Sequence, residues 1–305
     1  REVRGLQDLV ERSFELDVPP IDGADLTLTL DLDLQEEAAA VLAAPEGPPD
    51  PHQCDYAWLA RPTGAIVLMR VDGDVLAAAS HPVVARDDRG PAGIADAPFE
   101  RTLRKPGFQP PGSSFKPFVA LYALEHIART DPQRLLECAM LPDGRGAGYV
   151  DVRCNVHVGH GAVDLRDALK RSCNSYFAML GEQFSQADWS AMAAEFGFGQ
   201  PTGVRALGPR PGLHEDVFPQ LFQRELTGRG PRLAGNGLSV VEATPMQLAR
   251  ATAALATGAL PQVRLVQRVG VQEFPAQSRP IAISRATLEF VRGAMVAGSN
   301  EAGGS

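Results

Sequence analysis

Lysine is nearly absent from this chain: Lys105, Lys116 and Lys170 are the only three in 305 residues, and arginine carries the remaining positive charge. A lysine beside a nucleophile therefore stands out. The formal net charge is −8, so there is no basic field to hold a phosphate backbone, which argues against a nucleic-acid partner. No run approaches the ~20 apolar residues that span a bilayer. Arg1-Glu2-Val3-Arg4 also lacks the charged-then-apolar pattern of a signal peptide. Cysteines are few: Cys54, Cys138, Cys154 and Cys173. Their spacing matches no disulfide framework, and a chain this long needs none. A single Cys138–Cys154 bridge stays open. The chain opens inside a helical pattern and ends on Gly303-Gly304-Ser305 without a closing element. An excised domain is the expectation, so a missing anchor says nothing about its parent.

What is present is enough sequence for a sizeable core, with 44% hydrophobic residues. Val3, Leu6, Val10 and Phe14 recur at helical spacing until Pro19-Pro20. Asp25 to Leu32 alternates strictly and predicts a half-buried strand. Asp33 with Glu36 three residues on then reads as a capping box opening a helix through Leu42. Gly64–Val71 and Val75–Ser80 are apolar strands around an Asp72-Gly73 turn, a hairpin signal. Residues 81–112 read as a long connection rich in Pro, Gly, Asp and Arg.

After Ser113 helical patterns dominate: 118–129, 164–170, 175–183, 185–196 and 245–257. The last has Thr244 as N-cap, Pro245 at the first helical position, Gln247 closing a capping box and Gly258 as terminator. Strand-like residues return at 263–271 and a helix at 285–296. The fold class expected is α/β: an antiparallel sheet flanked by helices (about 1–112 and 259–305) plus an all-helical lobe (about 113–258), in one domain.

Two segments carry chemistry. In Pro110-Pro111-Gly112-Ser113-Ser114-Phe115-Lys116-Pro117-Phe118, a sharp turn precedes a helix, placing Ser113 at its N-terminus and Lys116 one turn on. A serine hydroxyl is a poor nucleophile until a base takes its proton, and a lysine serves only when burial and the helix dipole lower its pKa. Alone, the spacing also fits a capping serine and a solvated lysine. In Leu169-Lys170-Arg171-Ser172-Cys173-Asn174-Ser175, Ser172 and Asn174 point to one side of an extended connection, able to relay a proton and to bind an amide. Alone, they are ordinary interhelical turn residues.

Together these segments resemble the penicillin-binding protein and serine β-lactamase superfamily, whose motifs are S-x-x-K, S-x-N and K-T-G. Leu28-Thr29-Leu30-Asp31 through Gln35, the Gly64–Pro82 hairpin, Asn236-Gly237-Leu238 and Thr244-Pro245-Met246-Gln247-Leu248-Ala249 resemble the class B transpeptidases, in the expected order. The resemblance implies that Ser113 attacks the D-Ala-D-Ala carbonyl of peptidoglycan stem peptides, with Lys116 as base, Ser172 as proton shuttle and Asn174 as a substrate contact. It implies β-lactam antibiotics as acylating analogues and membrane cell-wall synthesis proteins as partners. The implied location is the outer face of the bacterial cytoplasmic membrane, anchored by a segment outside this chain. No metal or organic cofactor is implied.

The K-T-G motif is missing: no lysine follows Lys170. Truncation before the motif is the preferred expectation, and the rival is a non-catalytic homologue acting as an interaction module. A β-lactamase or β-lactam sensor is a third reading, without an identifiable deacylating base. Cys154, His157 and His160 have ligand-like spacing but no evident fourth ligand, so a structural zinc is not expected. Cys173 is read as a small buried thiol.

Overall fold

The computed structural model describes residues 23–43, 64–81, 110–203, 225–238 and 241–304. The helix expected over Val3–Phe14, the loop Pro45–Pro51, Cys54 and most of the 81–112 connection lie outside the described residues. The chain divides into two units, residues 1–28 with 266–275 and residues 29–265 with 276–305. In the first, strand β1 (Leu26–Leu28) occupies part of the alternating segment. It pairs antiparallel with a later strand at Val266–Val269, which pairs in turn with Gln272–Glu273.

In the second unit, helix α1 spans Leu32–Ala43. Its cap is Asp31 rather than Asp33: the Asp31 carboxylate accepts from the Leu34 amide at 3.1 Å. The alternating strand therefore yields to helix earlier than its pattern suggests, because a carboxylate satisfying a free first-turn amide outweighs one more alternating position. The hairpin is as expected, β2 (Gly64–Met69) antiparallel to β3 (Val75–His81). Gln35 of α1 donates to the Ala78 carbonyl at 3.2 Å and accepts from the Ala78 amide at 2.8 Å. It thereby pairs backbone groups that an edge strand would leave open. Ala38 packs against Ala77 and Ala79 beneath it.

The chemistry-bearing region starts with a 3₁₀ turn at Gly112–Phe115 that runs into α2 (Lys116–His126). Lys116 through Ala123 are all buried, as expected of a helix apolar on every side. Next come β4 (Leu136–Met140), β5 (Ala147–Tyr149), β6 (Val152–Arg153) and β7 (Gly161–Val163), a four-stranded sheet in the order β6-β5-β4-β7. This sheet lies inside the stretch read from sequence as helical throughout. Strands of two to five residues offer too few positions for alternation to register.

Helices α3 (Leu165–Lys170), α4 (Asn174–Gly181), α5 (Gln186–Phe196) and α6 (Gly230–Gly235) follow. In α4, Ser175 to Gly181 are all buried, so α2 and α4 are the central helices of the core. Helix α7 (Pro245–Thr257) carries the expected capping box, with Thr244 and Gln247 exchanging bonds at 3.1 Å, and ends on Gly258 at φ 83°. Because Thr244 is buried, Thr244→Ala is expected to cost about 1–2 kcal/mol. Calorimetry should then show Tm falling by about 2–6 °C, and an unchanged Tm would refute the cap's contribution. Strands β8 (Ala259–Pro261), β9 (Val266–Val269), β10 (Gln272–Glu273) and β11 (Ser278–Pro280) precede α8 (Arg285–Asn300), which packs on α2 and α3.

Candidate active site

The Gly112–Phe115 turn is anchored from below. Phe115 meets Phe198, and Phe118 meets Phe196 and Phe198, at centroid separations of 5.1–5.2 Å in tilted or edge-on contact, with Phe115 and Phe118 6.3 Å apart. Such aromatic pairs add packing energy beyond their buried area and fix ring positions. With Phe115 buried, Ser113 and Ser114 are left at the exposed surface of the turn. The Ser114 hydroxyl donates to the Pro111 carbonyl at 2.7 Å. The Ser113 hydroxyl makes no hydrogen bond among the described residues.

Lys116 is buried at 2% exposure. Its ammonium donates to the Ser172 carbonyl at 2.8 Å, the Ser172 hydroxyl at 3.1 Å and the Asn174 side-chain oxygen at 2.7 Å. It also lies 5.5 Å from the Phe177 ring centroid. Burial strips water from the charged form and pushes its pKa down from 10.5 to about 8, against the opposing pull of Cys173 and Cys154. The two sequence segments are thus joined through Lys116. Lys170 is no rival base, because its ammonium pairs with Glu301 at 3.0 Å.

Helix α3 ends at Lys170 with Arg171 as its C-cap, and Ser172 takes φ 53°. A non-glycine residue there costs roughly 1–3 kcal/mol and is held by its surroundings. The twist turns the Ser172 carbonyl and hydroxyl together toward Lys116. Asn174 begins α4, and its amide nitrogen donates to the Arg153 carbonyl at 3.1 Å while its oxygen faces Lys116.

Asn236 and Gly237 carry no assigned role in the sequence reading, yet they bracket both segments. The Gly112 amide donates to the Gly237 carbonyl at 2.9 Å, and the Asn236 side chain donates to the Asn174 carbonyl at 3.1 Å. Gly237 has φ 66°, and a Cβ there would stand 2.2 Å from the Gly112 carbonyl oxygen and 2.6 Å from Phe115 Cβ. The signal available in sequence was the glycine itself, which marks a close backbone approach without naming its partner.

A second cluster touches the same turn. Cys138 on β4, Cys154 after β6, His160 before β7 and Cys173 between Ser172 and Asn174 bring their ligand atoms within 4.8 Å of one another. The sequence expectation of no fourth ligand is corrected here. His157 is exposed and stands outside the cluster, while Cys138 and Cys173, remote in sequence, complete it. Cys138 and Cys154 are free thiols, so the bridge left open between them is not formed. Cys138 instead faces the Ser175 hydroxyl at 3.1 Å. Gly159, at φ 89° and with no room for a Cβ beside the Cys138 carbonyl, lets the loop carry His160 in. The Cys154 thiol is pulled down by its hydrogen bond with Cys173 and by backbone amides, and the Cys173 thiol is pushed up by the same shared bond and by burial.

The family model for the penicillin binding protein transpeptidase domain matches residues 64–305. The peptidoglycan D,D-transpeptidase MrdA of Acinetobacter baumannii is 27% identical over 86% of this chain and 38% of its own length. The stage V sporulation protein D of Bacillus subtilis is 29% identical over 79% of this chain and 34% of its own length. The chain therefore spans a little over a third of these curated relatives. Among solved structures, Pseudomonas aeruginosa PBP2 in complex with WCK 5153 aligns with TM-score 0.68 at 27% identity, covering 93% of this chain and 64% of that one. A ceftriaxone acyl-enzyme complex of Mycobacterium tuberculosis penicillin-binding protein A shares the fold, with TM-score 0.63 at 21% identity over 97% of this chain and 66% of that one.

Proposed function

Because the chain belongs to the penicillin-binding protein transpeptidase family, we propose that it is the acyl-transfer domain of a peptidoglycan D,D-transpeptidase. The observation carrying this reading is the buried Lys116 ammonium held jointly by Ser172 and Asn174. In the proposed reaction the Ser113 hydroxyl adds to the carbonyl carbon of a D-Ala-D-Ala peptide and its proton passes to neutral Lys116. The Ser113 amide, at the free end of the first turn, donates to the developing oxyanion. The carbon–nitrogen bond then breaks and terminal D-Ala leaves with a proton relayed by Ser172. An amine from a neighbouring strand takes the acyl group from the serine ester, re-forming Ser113. Asn174 orients the substrate amide, and β-lactams acylate Ser113 by the same route.

Family membership supports a location at the outer face of the cytoplasmic membrane. Among the described residues no helix is long and apolar enough to cross a membrane. A Helicobacter pylori PBP2 is known in complex with MreC, and a membrane cell-wall synthesis protein of that kind is the proposed partner class. The sequence through Ser305 contains no K-T-G; a motif lying beyond that residue fits the first reading, and the second reading is a non-catalytic family member serving as an interaction module.

Intact-mass analysis after incubation with penicillin, on this chain and on a version extended past Ser305, separates the two. One adduct mapped to the Ser113 peptide supports acyl transfer. No adduct in either version would leave the interaction module. The pH dependence is a sharper test, since the base is the uncharged lysine. With a pKa of about 8, the neutral fraction rises about tenfold per pH unit below that point and saturates above it. Labelling rates measured between about pH 6 and 9 are expected to climb and level off accordingly. A flat profile would remove Lys116 as the base.

A further inference from the structure

Asn174 is held from three sides, and two of its holders are joined to each other outside the site. Its side-chain oxygen accepts from Lys116 at 2.7 Å, and its amide nitrogen donates to the Arg153 carbonyl of β6 at 3.1 Å. Its backbone carbonyl accepts from the Asn236 side chain at 3.1 Å. Asn236 donates again to the Arg232 carbonyl at 3.1 Å, one turn back on α6. Its amide nitrogen thus meets two carbonyl oxygens, which fixes the carboxamide: the flipped form would set oxygen against oxygen. Asn236 is 2% exposed, and its own oxygen has no hydrogen-bond partner among the described residues. A buried acceptor left open costs stability, so what this side chain supplies is its two donated bonds.

The Arg232 side chain closes the circuit. Its Nε and Nη2 donate to the two Asp151 oxygens at 2.8 and 3.2 Å, and Nη1 donates to Glu182, the C-cap of α4, at 2.6 Å. Asp151 and Val150 form the turn between β5 and β6, and Val150 takes φ 54°. A β-branched residue in the left-handed region must be held there by its surroundings. The Asp151 pair with Arg232 supplies that hold, joined by a 2.8 Å bond from Arg229 to the Asp151 carbonyl. Isolated exposed ion pairs contribute little. This one differs, because the Arg232 side chain is only 15% exposed and grips Asp151 with two nitrogens. A ring therefore runs from Asn174 to Arg153 on β6, through Asp151 to Arg232 on α6, and back through Asn236. Glycines let the two helices close it: a Cβ at Gly181 would strike the Pro231 carbonyl, and one at Gly235 the Phe177 carbonyl.

We propose, on the acyl-transfer reading and as a refinement of it, that Asn236 and Arg232 are positioning residues for Asn174. Asn236 holds the Asn174 backbone, and Arg232 locks α6 to the strand whose carbonyl holds the Asn174 side chain. Displacing a substrate-orienting group by about 1 Å costs about a hundredfold in rate, so the ring acts on the acylation step through Asn174.

Penicillin labelling of Ser113 across a range of penicillin concentrations separates the noncovalent complex from acylation. Asn236→Ala is expected to slow acylation at least about tenfold, with the noncovalent constant changed less than about threefold. Arg232→Lys, which keeps the charge but cannot grip Asp151 and Glu182 in one plane, should slow it at least about fivefold. In an Asn174→Ala chain the same substitutions should add less than about twofold, because the group they position is gone. Equal slowing in both backgrounds would mark a merely structural role and overturn the proposal, as would a change confined to the noncovalent constant. NMR of the Asn174 carboxamide needs no acyl transfer. Its protons should be ordered and slow to exchange in the unsubstituted chain and released in both variants; an Asn174 side chain equally ordered in all three overturns the proposal. A chain extended past Ser305 that takes no penicillin sinks the acyl-transfer reading instead, and the NMR comparison then still decides whether Asn236 and Arg232 hold Asn174.

Discussion

Exchanging Lys116 for methionine is expected to slow penicillin acylation of Ser113 at least about a thousandfold, the loss typical of removing a positioned base. The Ser113→Ala chain, which should show no adduct, serves as the blank. The exchange separates chemistry from packing because methionine fills a similar volume among apolar neighbours. Losing the ammonium leaves the Ser172 carbonyl and the Asn174 oxygen without their donor, at about 1–3 kcal/mol. Removing a buried, desolvated cation offsets part of that cost. Thermal stability should therefore move by only a few degrees while labelling collapses. Labelling that survives Lys116→Met would assign the base to another group.

The second large effect is expected at a glycine outside both motif segments. Gly237→Ala places a Cβ 2.2 Å from the Gly112 carbonyl oxygen, in a backbone at φ 66°. Neither neighbour can yield cheaply, since one is backbone and the other is the Cβ of buried Phe115. A loss of about 2–4 kcal/mol follows from clash and left-handed strain together. In a melt this reads as Tm lower by about 5–10 °C. The Gly112 amide also donates to the Gly237 carbonyl, so the Gly112–Phe115 turn should shift and labelling should fall more than stability alone explains. A variant with unchanged Tm would show that the 112–237 approach is looser than described.

These expectations rest unequally on sequence. The α7 cap could be read outright, because a Thr-Pro-x-Gln start and a glycine stop are local chemistry, and local chemistry survives folding. So could the β2–β3 hairpin, whose Asp72-Gly73 turn sets its register. The cap of α1 was misplaced by two residues, since Asp31 and Asp33 are equally plausible acceptors until the backbone chooses. The β4–β7 sheet was not legible, because its strands are short and their pairing partners distant.

The candidate site divides along the same line. Ser113, Lys116, Ser172 and Asn174 were nameable because each sits in a short pattern whose spacing implies a shared face or turn. That Lys116 bonds Ser172 and Asn174, across more than fifty residues of chain, was invisible until α2 packed beside α4. The thiol cluster shows the difference most sharply. Within the sequence, Cys154 and His160 were near one another, His157 was the tempting third, and the set looked incomplete. Folding rejected His157 and supplied Cys138 from a strand and Cys173 from the turn between Ser172 and Asn174. Sequence alone determined the family, the β2–β3 hairpin and the α7 cap, all carried by short local patterns. Tertiary structure alone decided which distant groups share one buried point, because a lysine's pKa and a metal's ligand set depend on distances through space.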